Sequence, residues 1–209
     1  MKGCKMPLFG SMTGAARAEI AGMTQCRDFI SSEDAAELCR QIDDQPWRHD
    51  LKRRVQHYGY RYDYTARRVG PDAYLGPLPD WLHPLVRAVS VPRYLGAVPD
   101  QVIVNEYQPG QGIASHVDCV PCFGPGIAIV SLGSPCVMIF THLTTGDRRA
   151  VTLEERSLTV LSGAARYDWQ HGIPARKSDV IDGVRVARGR RISLTFRTMV
   201  LVGDVAPAR

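Results

Sequence analysis

Residues 115–122, SHVDCVPC, contain two adjacent patterns that could each bind a metal ion. His116 and Asp118 form a His-x-Asp pair, and Cys119 and Cys122 form a Cys-x-x-Cys pair. In a strand, residues i and i+2 point to the same side, so the His116 and Asp118 side chains are expected to project together. An imidazole and a carboxylate suit iron, whereas two thiolates suit zinc or a redox dithiol. Residues elsewhere in the chain must distinguish these alternatives.

A third ligand is needed to complete a site around the His-x-Asp pair, and His171 is the candidate. It lies in the segment ARYDWQHGI, which we predict to be a strand. Two histidines and one carboxylate occupy one face of an octahedron and leave three positions open for oxygen and a co-substrate. Taken alone, a His-x-Asp pair is more often a surface or capping pair, and a single histidine more often packs in a core.

The segment RRISLTFR favours an anionic ligand near these residues. As a strand it places Arg191, Ser193 and Arg197 on one face and apolar side chains on the other. Two arginines on that face of a central strand are costly unless an anion meets them. Their guanidinium groups suit a short dicarboxylate such as 2-oxoglutarate. Asn105 and Tyr107, at positions i and i+2 of VNEY, are expected to add neutral hydrogen bonds to it.

The segments NEYQPGQGIASHVD, SLGS, ARYDWQHGI and RRISLTFR, in this order, resemble the AlkB family of Fe(II)- and 2-oxoglutarate-dependent dioxygenases. The resemblance covers about residues 50–200. Within the family, the chain resembles the branch that contains the oxygenase domain of tRNA wobble-uridine hydroxylases. The resemblance implies the double-stranded β-helix fold of that family, with Fe(II), 2-oxoglutarate and O2 as cofactors. By the same resemblance, His116, Asp118 and His171 are the catalytic residues and iron ligands.

The resemblance also assigns residues to the co-substrate. It implies that Arg191 pairs with the far carboxylate of 2-oxoglutarate, helped by Tyr107. Asn105 and Arg197 would serve the end that chelates iron. The final motif of the family usually carries Asn where this chain has Ser193, which is a shorter donor.

Substrate recognition is expected in residues 52–68, KRRVQHYGYRYDYTARR, which we interpret as a strand. One face would carry Gln56, Tyr58, Tyr60, Tyr62 and Tyr64, with Lys52, Arg53, Arg54, Arg61, Arg67 and Arg68 around them. Aromatic rings stack on bases, and basic side chains pair with phosphates. Our candidate base contacts are Arg54, His57, Tyr58, Tyr60 and, on the strand of His171, Trp169. The alternative is that these rings pack in the core with their polar atoms reaching water.

The implied reaction is oxidative dealkylation of alkylated bases in DNA or RNA, which gives succinate, CO2 and formaldehyde. One alternative is a hydroxylase of a modified tRNA base, a small metabolite or a protein that uses the same iron chemistry. Another is a binding protein that has lost turnover, against which the complete set of ligands and arginines argues. The formal net charge of +5 and the pI near 9.0 favour a polyanionic partner only weakly. No obligate protein partner is evident.

Short segments separated by Pro-Gly, Gly-Pro and Gly-Asp turns follow residue 101. They predict a mainly β fold with supporting helices, a double-stranded β-helix or jelly roll, with a hairpin or loop at 177–189. Helices are predicted over 31–44, capped by Ser32, and over 79–90, capped by Asp80. We expect a flexible leader over 1–24 and one dioxygenase domain over 25–205. Its part 25–100 would hold the helices and substrate-recognition region, and its part 101–200 the jelly-roll core.

The six cysteines are expected to be reduced thiols, because no secretion signal begins the chain. Cys119 and Cys122 are expected to bind no metal, since no second Cys-x-x-Cys is present to complete a zinc site. No apolar run approaches the ~20 residues that cross a bilayer. A cytoplasmic location, with no membrane partner, is the expectation.

Overall fold

The structure is a computed structural model that describes residues 20–49, 51–63, 66 and 68–200. Strands are the main regular elements of this part of the chain, and they are joined by turns and supported by three helices. The helices are α1 (Ser32–Asp43), α2 (His83–Val89) and α3 (Gly163–Tyr167). The strands are β1 (Met23–Cys26), β2 (Val55–Tyr58), β3 (Gln101–Tyr107), β4 (Ile113–His116), β5 (Phe123–Gly133), β6 (Cys136–His142), β7 (Arg148–Leu153), β8 (Leu158–Leu161), β9 (Trp169–Ile173), β10 (Ser178–Ile181), β11 (Val184–Ala187) and β12 (Arg191–Met199).

The strands form two antiparallel sheets and a hairpin. The large sheet has the order β1-β8-β5-β12-β3-β2, and the small sheet has the order β4-β9-β6-β7. The separate hairpin β10-β11 occupies the predicted segment before the last strand. Two antiparallel sheets with crossovers between non-consecutive strands are the jelly-roll arrangement that the sequence predicted, and the fold class is confirmed. None of the helices in the described part of the chain has the length and apolar character needed to cross a bilayer.

The outer face of the large sheet packs against the first two helices. Ile192, Leu194 and Phe196 of β12 share one core cluster with Leu38 of α1 and Leu85 of α2. These three residues of β12 are at most 2% exposed, as the alternation in RRISLTFR predicted.

The ends of both helices differ from the sequence prediction. Helix α1 is capped by Ser31, whose Oγ accepts from the Asp34 amide at 3.0 Å, and not by Ser32. The predicted second helix is divided into a 3-10 turn over Asp80–Leu82 and α2. Asp80 is the first residue of that turn and makes no capping bond, because the chain enters the turn through Pro79.

Three predicted boundaries also move. Strand β2 ends at Tyr58 because Gly59 adopts φ +74°, a conformation that other residues rarely take. The segment ARYDWQHGI begins in α3, so only its second half is strand. Met23 and Thr24 lie in β1, within the range expected for a flexible leader, and residues 1–19 of that leader lie outside the described residues.

The inner face of the large sheet is the one that positions the candidate site. It carries Arg191, Ser193 and Arg197 of β12, and the antiparallel register sets them beside Tyr107, Asn105 and Gln101 of β3, respectively. A second core cluster joins this face to the small sheet, with Tyr107 and Ile129 on one side and Phe140 and Trp169 on the other. The polar residues predicted from the sequence therefore lie between the two sheets.

Candidate active site

Two histidines and one aspartate meet between the sheets. His116 ends β4 and pairs in register with His171 of β9, and their ring centroids are 4.6 Å apart. Asp118 follows β4 in an extended loop, and its Oδ2 lies 3.5 Å from His171 Nε2. One donor atom from each residue falls within 4.8 Å of the others, so the three side chains could hold one metal ion. The structure thus brings together the three residues that the sequence singled out.

Both histidines leave a ring nitrogen for a metal ion. His116 Nδ1 lies 2.9 Å from the carbonyl oxygen of Ala114. A carbonyl only accepts, so Nδ1 is the donor in this contact and Nε2 is the nitrogen left for a metal ion. His171 is 5% exposed, and burial lowers its pKa to about 4. Its imidazole is therefore neutral at pH 7.

Asp118 is held as a buried carboxylate. Burial by itself raises the pKa of this carboxyl, but Arg197, followed by His171 and His116, outweighs that effect and keeps the pKa well below its usual range. Arg197 Nη2 donates to Asp118 Oδ1. Because Oδ1 is occupied by Arg197, Oδ2 is the oxygen that faces His171.

Arg166 fixes the loop that carries Asp118. It is 2% exposed, and its Nη1 donates to the carbonyl oxygen of Asp118 at 2.9 Å, while Nη2 donates to that of Cys119 at 3.3 Å. The sequence analysis missed this residue, because it assigned Arg166 to a strand. A basic residue just before the His171 strand was the available signal, but only its place in α3 directs it to this loop.

Arg191 lies at the other end of the inner face and is only partly hydrogen-bonded within the described part of the chain. It is 3% exposed, and its Nη2 donates to Ser131 Oγ at 3.1 Å. Within the described part of the chain, its buried Nε and Nη1 have no hydrogen-bond partner. Each unpaired buried donor costs about 1–3 kcal/mol. A small cavity lined by Tyr107, Ile173 and Arg191 adjoins this guanidinium group.

Asn105 and Ser193 lie between the two arginines on the inner face. They face each other in register and are 7% and 6% exposed. Asn105 Oδ1 accepts from Arg53 Nε at 2.8 Å. Arg197 Nη1 lies 3.4 Å from Gln101 Oε1, near the metal-ligand cluster. The five residues predicted for the co-substrate therefore share one surface, with Arg197 at the end that adjoins Asp118.

Arg54, a predicted base contact, is engaged elsewhere. Its Nε and Nη2 both donate to Glu106, the latter at 2.8 Å, and its guanidinium carbon lies 4.4 Å from the centroid of the Trp47 ring. Glu106 alternates with Asn105 and Tyr107 along β3, so it points to the outer face. Arg54 thus neutralises a buried carboxylate on the side of the sheet opposite the candidate site, contrary to the expectation.

Tyr58 and Tyr60 also differ from the expectation of a tyrosine face directed at a base. The Tyr58 hydroxyl donates to Gln56 Oε1 at 2.9 Å, its ring packs edge-on against Trp81, and burial raises its pKa to about 12. Tyr60 follows the Gly59 break and packs against Tyr74, beside a cavity whose lining contains none of the three candidate metal ligands. Tyr58 is therefore a core residue, as the alternative interpretation held.

Two other aromatic residues come closer to the metal-ligand cluster. The Tyr62 ring lies 5.6 Å from that of Phe123, which in turn packs under Arg197. Trp169, predicted to line the pocket, shares a face of β9 with His171 and contacts the His142 ring edge-on at 5.0 Å. His57 Nδ1 accepts from the Tyr62 amide at 3.4 Å, so it supports this turn. Tyr64 and Arg67 lie outside the described residues.

Cys119 and Cys122 form a disulfide, so the prediction that they are thiols is wrong. The amides of Cys122 and Phe123 both donate to the Cys119 carbonyl at 3.2 Å, which makes a tight turn. The turn brings the two Cα atoms to 5.3 Å, within the range that a disulfide spans. Cys26, Cys39 and Cys136 are free thiols, as expected.

A jelly roll that holds two histidines, one carboxylate and a buried arginine between its sheets is typical of the class of non-haem iron oxygenases. Residues 22–197 match the family model of the 2OG-Fe(II) oxygenase superfamily, and the chain belongs to that superfamily. It is an AlkB-like dioxygenase, for which the family implies Fe(II), 2-oxoglutarate and O2.

The relatives of this chain include proteins with AlkB-type names. It is 33% identical to the uncharacterized protein L905 of Acanthamoeba polyphaga mimivirus, over 86% of this chain and 85% of that one. It is 33% identical to the alkylated DNA repair protein ALKBH8 homolog of Arabidopsis thaliana and 37% identical to the tRNA (carboxymethyluridine(34)-5-O)-methyltransferase ALKBH8 of Macaca fascicularis. The matches cover 85% and 84% of this chain but only 58% and 30% of those two proteins.

The fold is shared with solved structures. The structure of OsALKBH1 superposes with a TM-score of 0.61 at 18% identity, covering 85% of this chain and 98% of that one. A 2OG-Fe(II) oxygenase family oxidoreductase from Burkholderia pseudomallei superposes with a TM-score of 0.58 at 14% identity, covering 84% and 83%. At these identities the likeness concerns the fold alone.

Proposed function

We propose that His116, Asp118 and His171 bind Fe(II), that Arg191 binds the far carboxylate of 2-oxoglutarate, and that the enzyme oxidatively dealkylates bases in DNA or RNA. The observation that carries the proposal is a three-ligand cluster, in which Asp118 and His171 are buried, between the same two sheets as a buried arginine with two unpaired nitrogens. The cluster needs a cation and the arginine needs an anion. Fe(II) and 2-oxoglutarate satisfy both requirements. The predicted domain, residues 25–205, would act as one dioxygenase unit.

When bound, Fe(II) with 2-oxoglutarate and O2 supplies the oxidation of a substrate C–H bond, with succinate and CO2 as products. The protein keeps the three ligands ready for the metal. Arg197 holds Asp118 ionised and occupies Oδ1, which leaves Oδ2 on the metal side. The Ala114 carbonyl keeps the proton on His116 Nδ1, which leaves Nε2 for the metal. Asp118 and His171 need not change their protonation states when the metal binds.

The inner face would also orient the co-substrate. Arg191 offers two unpaired donors, Nε and Nη1, at different edges of its planar guanidinium group, and carboxylate oxygens are the acceptors that such donors prefer. Tyr107 adjoins this end, since it pairs in register with Arg191. Asn105 and Ser193 then lie between Arg191 and the metal ligands. An elongated dicarboxylate would therefore lie along β12 with one end at Arg191 and the other at the metal.

An alkylated base is the proposed substrate because a polyanion suits the net charge of +5 and because the relatives' names refer to nucleic acids. Trp169 and Tyr62 are the aromatic residues placed to contact a base beside the cluster. Oxidation of an N-methyl carbon gives a hydroxymethyl group, which leaves as formaldehyde and restores the base. The protein's task is to hold that methyl group at the metal and to exclude water.

Hydroxylation of a tRNA base is the second candidate. The 37% identity to the macaque ALKBH8 protein, whose name refers to carboxymethyluridine in tRNA, favours it. It uses the same iron chemistry, but the oxygen atom stays on the base and no formaldehyde is released.

The experiment that tests these proposals supplies Fe(II), 2-oxoglutarate and O2 with methylated DNA, methylated RNA or tRNA and measures succinate, formaldehyde and base masses together. Formaldehyde equal to succinate supports dealkylation, whereas a base heavier by one oxygen atom supports hydroxylation. Succinate formation that no nucleic acid stimulates would contradict both substrates. The control is His116→Ala, because undiminished 2-oxoglutarate turnover in this variant would contradict the iron assignment.

A further inference from the structure

Arg53 reaches the inner face from the segment before β2. Its neighbours are anchored by their backbone carbonyls, since Gln111 Nε2 donates to Lys52 O at 2.6 Å and the Glu106 amide donates to Arg54 O at 3.1 Å. The Arg53 side chain extends between these two anchors toward β3. Its Nε donates to Asn105 Oδ1 at 2.8 Å, and its guanidinium carbon lies 5.8 Å from the centroid of the Tyr107 ring.

The contact with Arg53 determines which way the Asn105 amide points. A guanidinium group donates hydrogen bonds and accepts none, so the atom of Asn105 that faces it has to be the oxygen. The amide nitrogen then points away from Arg53. Asn105 stands opposite Ser193, between the register positions of Arg191 and Arg197 and closer to that of Arg191. The orientation of this amide decides whether the middle of the inner face presents a donor or an acceptor.

We propose that Arg53 is a positioning residue of the co-substrate site. It holds the Asn105 amide so that its N–H group serves an anionic ligand between Arg191 and Arg197. Without Arg53 the amide can turn by half a rotation and present its oxygen, which repels a carboxylate. The inference rests on the proposed 2-oxoglutarate site and adds a residue to it that makes no direct contact with the ligand.

A double-mutant cycle on 2-oxoglutarate affinity separates positioning from simple charge. The dissociation constant is measured by calorimetry with Mn(II)-loaded protein, so that no turnover occurs. The proteins compared are the wild type, Arg53→Ala, Arg53→Lys, Asn105→Ala and the double variant Arg53→Ala/Asn105→Ala. The matched control is Arg87→Ala, which removes an arginine from the exposed side of α2.

We expect Arg53→Ala to weaken 2-oxoglutarate binding by about tenfold, the effect of losing one oriented hydrogen bond to an anion. Arg53→Lys keeps a donor for Asn105 Oδ1 and should recover part of the affinity. In the Asn105→Ala background, removing Arg53 should change the affinity by less than about twofold. In Fe(II) assays, Arg53→Ala should raise the KM for 2-oxoglutarate and change kcat little.

Other results of these binding measurements would contradict either the inference or the proposed function. If Arg53→Ala binds 2-oxoglutarate as tightly as the wild type, Arg53 does not contribute to the site and the inference is wrong. If removing Arg53 lowers the affinity equally with and without Asn105, Arg53 acts by its charge alone, which would also overturn the inference. Failure of the metal-loaded wild type to bind 2-oxoglutarate would instead overturn the proposed function. Thermal unfolding shows whether each variant folds, and Arg53→Gln replaces Arg53→Ala in the cycle if the latter does not.

Discussion

Removing Arg191 should abolish 2-oxoglutarate binding without destabilising the ligand-free protein. In Arg191→Met the long side chain is retained, but the guanidinium group is lost. The wild-type side chain makes one hydrogen bond, to Ser131 Oγ, while two of its nitrogens are buried and unpaired in the described part of the chain. Arg197 provides the contrast, since it stands on the same strand face but pairs with the buried Asp118.

The magnitudes follow from these contacts. Two unpaired buried donors cost about 2–6 kcal/mol together, whereas one hydrogen bond from a charged group contributes about 1.5–3 kcal/mol. Arg191→Met should therefore change the free energy of unfolding by between about −1 and +4.5 kcal/mol, so no large loss of stability is expected. Arg197→Met leaves the Asp118 carboxylate buried without its partner and should lower the free energy of unfolding by about 3–5 kcal/mol.

Urea unfolding of the metal-loaded proteins, with and without 2-oxoglutarate, tests both the loss of ligand binding and the stability of the ligand-free variant. A ligand at a hundred times its dissociation constant stabilises the native state by about 2.7 kcal/mol. The wild type should show this gain and Arg191→Met should not. If the free energy of unfolding of ligand-free Arg191→Met falls by more than about 3 kcal/mol, the unpaired nitrogens do not destabilise the wild-type protein. Equal stabilisation of both proteins by 2-oxoglutarate would show that Arg191 does not bind it.

Three further predictions concern the metal, the disulfide and the ion pairs of the outer face. Mn(II) should raise the melting temperature of the wild type but not of His171→Ala, and a chelator should reverse the rise. Equal shifts of the melting temperature in the two proteins, measured by scanning calorimetry, would exclude His171 as a ligand. Reduction of Cys119–Cys122 should lower the free energy of urea unfolding by at most about 2 kcal/mol, because the bond closes a very short loop. Burial raises the pKa of Glu106, but hydrogen bonds from Arg54 and Arg190 lower it by more, so the net pKa lies below 4.5. The ionised Glu106 therefore stabilises the folded protein above pH 4.5, and this stabilisation is lost as the pH falls further. Glu106→Gln should remove that part of the acid sensitivity in urea titrations at several pH values; an unchanged pH profile would contradict it.

Local patterns were sufficient for much of the fold and for the main site residues. Short strands separated by turns were predicted from residue 101 onward, and β3 to β12 all lie in that part of the chain. The spacing of His116 and Asp118 brought their side chains together, although Asp118 lies in an extended loop beyond the end of β4. The period of two along β12 also placed Arg191 and Arg197 on one face.

In the tyrosine-rich segment, residues 52–68, the predicted length of the strand was wrong. Alternation alone extended the strand to residue 64, whereas Gly59 turns the chain after Tyr58. A glycine permits a positive φ but does not require it, so the sequence does not tell whether the strand continues. The α3 helix is a similar case, since its five residues carry too few helical turns to show a period.

The sequence by itself determined which side chains could bind a metal and a dicarboxylate, because residue type and strand period are local properties of the chain. Only the tertiary structure decided which of two consecutive arginines serves the site. Arg53 meets Asn105 on the inner face, while Arg54 meets Glu106 on the outer face. That choice depends on the register between β2 and β3, which are separated by more than forty residues of chain. Register is set by the packing of both faces at once, so no local pattern contains it.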